Sequence, residues 1–161
     1  KIALLTGPEH MSIGKNRMKG YLKAMTVNKL EINTDYIVRC EDFSVKSAKE
    51  ATTRLLNLKH IPDAIFGIND DMAIGAIEAI KEKGLKIPED IAVFGFSNTK
   101  RSRYMNPSVS TVNQFPEKIG EVAAELLFEQ ILNPKHAQVR EEIVNCELII
   151  RESSDRSYLN D

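Results

Sequence analysis

Apolar positions along this chain follow two alternating rhythms. The runs Ile2-Ala3-Leu4-Leu5, Tyr36-Ile37-Val38, Ala64-Ile65-Phe66-Gly67-Ile68 and Ile91-Ala92-Val93-Phe94-Gly95-Phe96 show no polar alternation. Such runs predict strands covered on both faces, which a parallel sheet provides. Between them, apolar residues recur at helical spacing. Met18, Tyr21, Leu22 and Met25 mark a helix over 13–27, and Ala48, Ala51, Leu55 and Leu58 mark a second. A third, over 70–83, carries Met72, Ala73, Ile74, Ala76, Ile77, Ala79 and Ile80, with little polar face. A helix of that kind is buried on more than one side. The sheet accounts for one side; a second subunit or the rest of the chain accounts for the other.

Local signals support these elements. Thr6-Gly7-Pro8 is a turn, and Ser47-Ala48-Lys49-Glu50 fits a capping box, with Ser44 as an alternative cap. Gly84 suits the position after a helix end, and Pro88 opposes a restart. The stretch Lys100-Arg101-Ser102-Arg103 reads as irregular and polar, and Ser110-Thr111-Val112 as a short strand. Pro116 suits the first turn of a helix that carries Ile119, Val122, Ala123, Leu126 and Leu127 and stops near Asn133-Pro134. The segment 142–150 is β-prone, and the polar tail from Arg151 is expected to fray. The alternation of strand and helix predicts an α/β fold, a doubly wound parallel sheet with right-handed crossovers.

Composition narrows the class. At 161 residues, 42% hydrophobic and 28% charged, the chain suits one globular domain, or one and a fragment. Its net charge of −1 lacks the basic footprint of a nucleic-acid-binding domain, and its apolar stretches are too short to span a membrane. Cys40 and Cys146 are far apart and read as reduced thiols, which favours the cytoplasm. The chain opens at Lys1 inside an apolar strand, so we expect a piece of a longer protein.

Polar residues gather where the strands end. Thr6-Gly7, Glu41-Asp42-Phe43, Asn69-Asp70-Asp71 and Ser97-Asn98 would meet on one edge of the sheet, where open α/β sheets bind ligands. Arg17, one turn into the first helix, can lean over the same edge. Asn, Asp and Ser offer donors and acceptors, Arg a rigid fork, and Phe43 a flat apolar face. A small polyhydroxylated ring or a nucleobase needs both kinds of contact. Each residue also has a plainer role. Asp70 or Asp71 can cap a helix, Asn69 can satisfy turn backbone, Phe43 can be core, and Arg17 can be a solvated charge.

Enzyme signatures are lacking. Gly7 to Lys15 resembles a phosphate loop, but six residues rather than four part its glycines, and Asn16 stands where Ser or Thr would hold Mg²⁺. His10, His60 and His136 show no metal-ligand spacing, and there is no G-x-S-x-G elbow. No catalytic residue, metal or cofactor is expected, and the protein is read as a non-enzyme.

Several stretches, in this order, resemble the effector-binding half of the LacI/GalR family of bacterial transcription regulators. They are Ile2 to Pro8, Arg17-Met18-Lys19-Gly20-Tyr21, Pro62-Asp63-Ala64-Ile65 with Asn69 to Gly75, and Ile87 to Ile91 with Phe94-Gly95-Phe96. Pro107 to Val112 and Leu148 to Ser153 complete the match. The resemblance implies one lobe of a type I periplasmic-binding-protein-like two-lobe fold. Residues 1–112 would form the C-terminal effector-binding lobe. Residues 113–145 would be a crossover belonging to the missing N-terminal lobe, and 146–161 a return strand and polar tail. It implies a small effector, such as a sugar, in the interlobe cleft and DNA bound only through an absent helix-turn-helix domain. It also implies a homodimer through the 70–83 helix. Arg17 would grip effector hydroxyls, Phe43 would stack, Asn69 and Ser97 would hydrogen-bond the ligand with Asp70 beside them, and Gln114 would lie at the hinge. The family usually has Asp where this chain has Ser97, so the usual carboxylate anchor is gone. A sugar-binding protein of an ABC transporter, which shares the two-lobe fold, is the alternative.

Overall fold

Four parallel strands form the centre of the computed structural model, which describes residues 1–132 and 140–157. They are β1 (Ile2–Thr6), β2 (Ile37–Arg39), β3 (Ala64–Gly67) and β4 (Ala92–Phe94), in the order β2-β1-β3-β4. In β1, Ala3 through Thr6 are all buried, so the run without alternation has cover on both faces. Leu4 pairs with Ile37 on one side and Phe66 on the other, and Ile65 pairs with Val93. The helices between strands are α1 (Ser12–Val27), α2 (Val45–Leu55) and α3 (Asp70–Glu82). Chain order leaves β1 in opposite directions toward β2 and β3, so the topological switch point lies between β1 and β3.

Capping decides where two helices begin. Ser44, not Ser47, caps α2, its Oγ accepting from Ser47 N at 3.2 Å. Ser47 instead accepts from Glu41 N at 3.0 Å and ties down the loop before the helix. Asn69 caps α3 by accepting from Met72 N at 2.8 Å. α2 and α3 pack closely because Gly75 lacks a side chain: a Cβ there would lie 2.3 Å from Val45 O.

That contact gives the 70–83 helix cover from within the chain. Met72, Ala73, Ile74, Ala76, Ile77, Ala79 and Ile80 are all buried by the lobe itself. What α3 offers to solvent is Asp71, Glu78, Lys81 and Glu82, and Lys49 holds Glu82 at 2.6 Å. The chain's own cover, rather than a partner subunit, explains the missing polar face.

The C-terminal third departs further from expectation. The polar stretch after Asn98 is a short helix, α4 (Lys100–Tyr104), capped by Thr99. β5 (Thr111–Asn113) lies beside the end of β4, reached through an isolated parallel bridge from Phe94 to Ser110, with Gly95 N donating to Ser110 O at 2.8 Å and Ser97 N to Val112 O at 2.9 Å. It pairs antiparallel with β6 (Glu147–Ile149), shorter than the expected 142–150. The described residues after β6, 150–157, do not fray. Ser153 is fully buried, its Oγ donating to Val93 O at 2.6 Å while its carbonyl accepts from Val93 N at 2.7 Å. Arg156 Nε donates to Pro88 O at 2.6 Å. The polar tail is a plug on β4, because its hydroxyls and backbone satisfy groups that a bare strand edge would leave open.

α5 (Pro116–Leu132) has no buried residue, and Leu127, Phe128, Ile131 and Leu132 are each more than half exposed. A shallow groove runs along it, lined by Ile119, Val122, Leu126 and Ile143. The stop expected at Asn133-Pro134 lies outside the described residues. No helix among the described residues is long and apolar enough to cross a membrane.

Candidate ligand-binding site

The sheet carries its polar strand tips to the switch-point edge. Phe43, in the loop after β2, lays its ring against Gly7, after β1: a Cβ on Gly7 would sit 2.2 Å from the ring's Cε1. Only glycine there lets the ring lie over the end of β1. Asn69 ties this loop to β3, its Nδ2 donating to Phe43 O at 3.1 Å while its Oδ1 caps α3. Asn69 therefore serves the turn, as the plainer reading had it, and holds Phe43 in place at the same edge.

Arg17 is the charged centre of the edge. Its guanidinium lies over the Phe96 ring, 3.8 Å from the centroid. Nη1 donates to Ile68 O, and Nη2 to Gln114 Oε1 at 3.4 Å. Gln114 Nε2 in turn donates to Ser97 Oγ at 3.2 Å. One chain of contacts thus joins α1, β3, the turn after β4 and the segment after β5. Burial lowers the Arg17 pKa, and the Asp70 carboxylate and the Cys146 thiol partly offset that. A guanidinium stays protonated regardless, so the shift records a cation lodged in a poorly solvated place.

Ser97 and Asn98 hold left-handed backbone, at φ 118° and 51°. Non-glycine residues adopt such angles only when neighbours hold them there. Here Ser97 N is fixed by Val112 O, Asn98 N donates to Thr111 Oγ1 at 3.2 Å, and Asn98 Oδ1 accepts from Arg151 Nη2 at 2.7 Å. The result aims Ser97 Oγ toward Gln114.

Asp70 lies beneath these residues rather than among them. It is fully buried, and both carboxylate oxygens are taken: Oδ1 by Thr111 Oγ1 at 2.6 Å, Oδ2 by Thr99 N at 2.7 Å and Thr99 Oγ1 at 3.0 Å. Gly95 makes room for it, since a Cβ there would lie 2.5 Å from Oδ1. The residue expected beside the ligand braces the turn from below. Of the six candidates, Arg17, Phe43, Asn69, Ser97 and Gln114 come together and Asp70 does not.

Four contributors carry no local signal of their role in the sequence. Phe96, taken for strand core, is the platform under Arg17. Thr111 and Thr99 hold Asp70 across 41 and 29 residues, a separation that no local pattern signals. Arg151 donates to Asn98, to Val109 O at 2.7 Å and to Ser102 Oγ at 3.4 Å, and burial lowers its pKa. Its place in Leu148 to Ser153, a stretch quoted in the resemblance, was the available signal.

Comparison with known proteins follows from this geometry. The profile of a family described as a periplasmic binding protein-like domain matches residues 1–154. The HTH-type transcriptional repressor PurR of Proteus mirabilis is 38% identical over 134 residues, covering 83% of this chain and 39% of PurR. Among solved structures, the transcriptional regulator CelR in complex with cellobiose superposes with a TM-score of 0.86 at 30% identity, covering 95% of this chain and 46% of CelR. The lac repressor dimer bound to operator and the anti-inducer ONPF gives 0.86 at 30% identity, with 96% and 52% covered. The chain spans about half the length of the relatives that it matches, or less.

Proposed function

The chain belongs to the periplasmic binding protein-like family, in its LacI/GalR branch, and on that footing we propose that it is the C-terminal effector lobe of a bacterial transcription regulator. Residues 1–112 form the lobe, 113–145 cross over to an N-terminal lobe outside this chain, and 146–161 return. A small molecule, a sugar by this reading, lies in the cleft between lobes. Its binding shifts the balance between open and closed forms and so changes operator affinity in helix-turn-helix domains elsewhere in the protein. The protein works in the cytoplasm as a homodimer and catalyses nothing. Similarity to regulators, one captured with cellobiose and another as a dimer on operator, supports this over the transporter alternative.

The observation that carries the proposal is the pairing of a polar edge with a bare helix. Arg17, Gln114 and Ser97 are linked at the edge, and α5 emerges beside them with its apolar residues uncovered. A lobe whose cleft wall leads into an uncovered apolar helix is half of a two-lobe site. The test uses genomic DNA fragments selected by the full-length protein. Full-length protein should retard these fragments, and a small molecule found by thermal shift should change the retardation. This chain alone should retard none. A clear shift by this chain alone overturns the division of labour.

A further inference from the structure

Hydrogen bonds within the protein already use part of what the edge offers. The side-chain oxygens of Asn69, Gln114 and Ser97 each take one hydrogen from the protein, from Met72 N, Arg17 and Gln114 in turn. Both oxygens of Asp70 are engaged below, out of reach of any ligand. Donors remain. Arg17 uses one hydrogen of each of two nitrogens, of the five N–H that a guanidinium carries, and the Ser97 hydroxyl keeps its own proton.

Charge follows the same pattern. Among the described residues, no carboxylate forms an ion pair with Arg17. Its partners are a carbonyl, an amide oxygen and the face of Phe96. Asp42, in the loop before Phe43, turns its carboxylate back on Ser44 N at 2.9 Å, and the charges that act on Arg17 include neither it nor Glu41. At the position after Phe96, a carboxylate would have paired with ligand hydroxyls as an acceptor; Ser97 puts a hydroxyl there instead.

A neutral polyol needs acceptors as well as donors, since each hydroxyl both gives and takes a hydrogen. A carboxylate or phosphate only takes. A partly buried cation with free N–H groups and no ion-paired carboxylate among the described residues suits an anion with bidentate geometry. We infer that the effector is an acidic sugar, one whose carboxylate or phosphate lies against Arg17 and Ser97. This rests on the cleft reading above and specifies its ligand.

The experiment is isothermal calorimetry on the full-length protein with matched probes: glucose, galactose, glucuronate, galacturonate, glucose 6-phosphate and galactose 6-phosphate. At least one acid should bind tenfold or more tightly than its neutral counterpart, and the sugar acids and sugar phosphates distinguish the source of the anion. Ser97→Asp, which restores a carboxylate at the rim, should weaken that acid at least tenfold, and Arg17→Lys, which keeps the charge but loses the fork, should weaken it less than Arg17→Gln. Equal or tighter binding of the neutral member overturns the charge preference and leaves the cleft reading standing. Absence of any acid binding also overturns the charge preference. Acid binding unchanged in both Arg17→Gln and Ser97→Asp places the ligand elsewhere and overturns the cleft reading itself. Circular dichroism of each variant separates lost binding from lost folding.

Discussion

Replacing Asp70 with alanine should destabilise the lobe before it affects any ligand. The carboxylate is fully buried and accepts three hydrogen bonds, from Thr111 Oγ1, Thr99 N and Thr99 Oγ1. Bonds to a charged group contribute about 1.5–3 kcal/mol each, and they are not additive. Alanine removes the acceptor and leaves the Thr99 N–H and two hydroxyls to find others in a closed place. A loss of roughly 4 kcal/mol is expected, near what breaking a buried charged pair costs. For a chain of this size each kcal/mol lowers Tm by about 2–4 °C, so the midpoint should fall by roughly 8–16 °C. The assay is thermal unfolding of this chain, followed by circular dichroism, with effector binding measured on the full-length protein. A double-mutant cycle with Thr111→Val should show coupling of about 1 kcal/mol or more, because the two side chains share one bond. If Asp70→Ala shifts the midpoint by less than about 2 °C and still abolishes effector binding, Asp70 is a ligand contact and the bracing role is wrong.

Two further outcomes follow. Ser153→Ala should cost about 2 kcal/mol in denaturant unfolding, since it strips Val93 O of a donor and Ser110 N of its acceptor in a fully buried place; an unchanged urea midpoint would return this segment to the status of a loose tail. Cys40 is buried, and burial pushes its thiol up to about 11, so at pH 8 iodoacetamide should alkylate exposed Cys146 and leave Cys40 untouched by mass spectrometry. The sign of the pH effect follows: the native state holds the Cys40 proton more tightly than the unfolded chain, so its contribution is complete below pH 9 and is lost as pH rises toward 11.

The strand runs and helical spacings made the α/β order legible, because burial on both faces writes itself into consecutive residues such as Ala3-Leu4-Leu5. What covers a helix is another matter. The composition of α3 requires cover all round, but a second subunit and the facing α2 impose the same composition. Asn69 and Asp70 show the same limit at the site. Both fit a helix start, and only the long-range bonds to Thr99 and Thr111 assign the cap to one and the brace to the other. The segment after β6 was misjudged because polar residues in a terminal stretch ordinarily face water, whereas Ser153 serves an open strand edge.

The bond from Arg151 to Asn98 spans 53 residues, and that gives the site an order in time. During synthesis the sheet of β1 to β4 can close on α1 to α3 while the last residues are still inside the ribosome. The turn that carries Ser97 then lacks its clasp until Arg151 arrives. On the proposed reading, effector recognition is thus among the last properties the nascent lobe acquires, and a chain cut short before Arg151 would lose the clasp on that turn together with the Ser153 cover of β4.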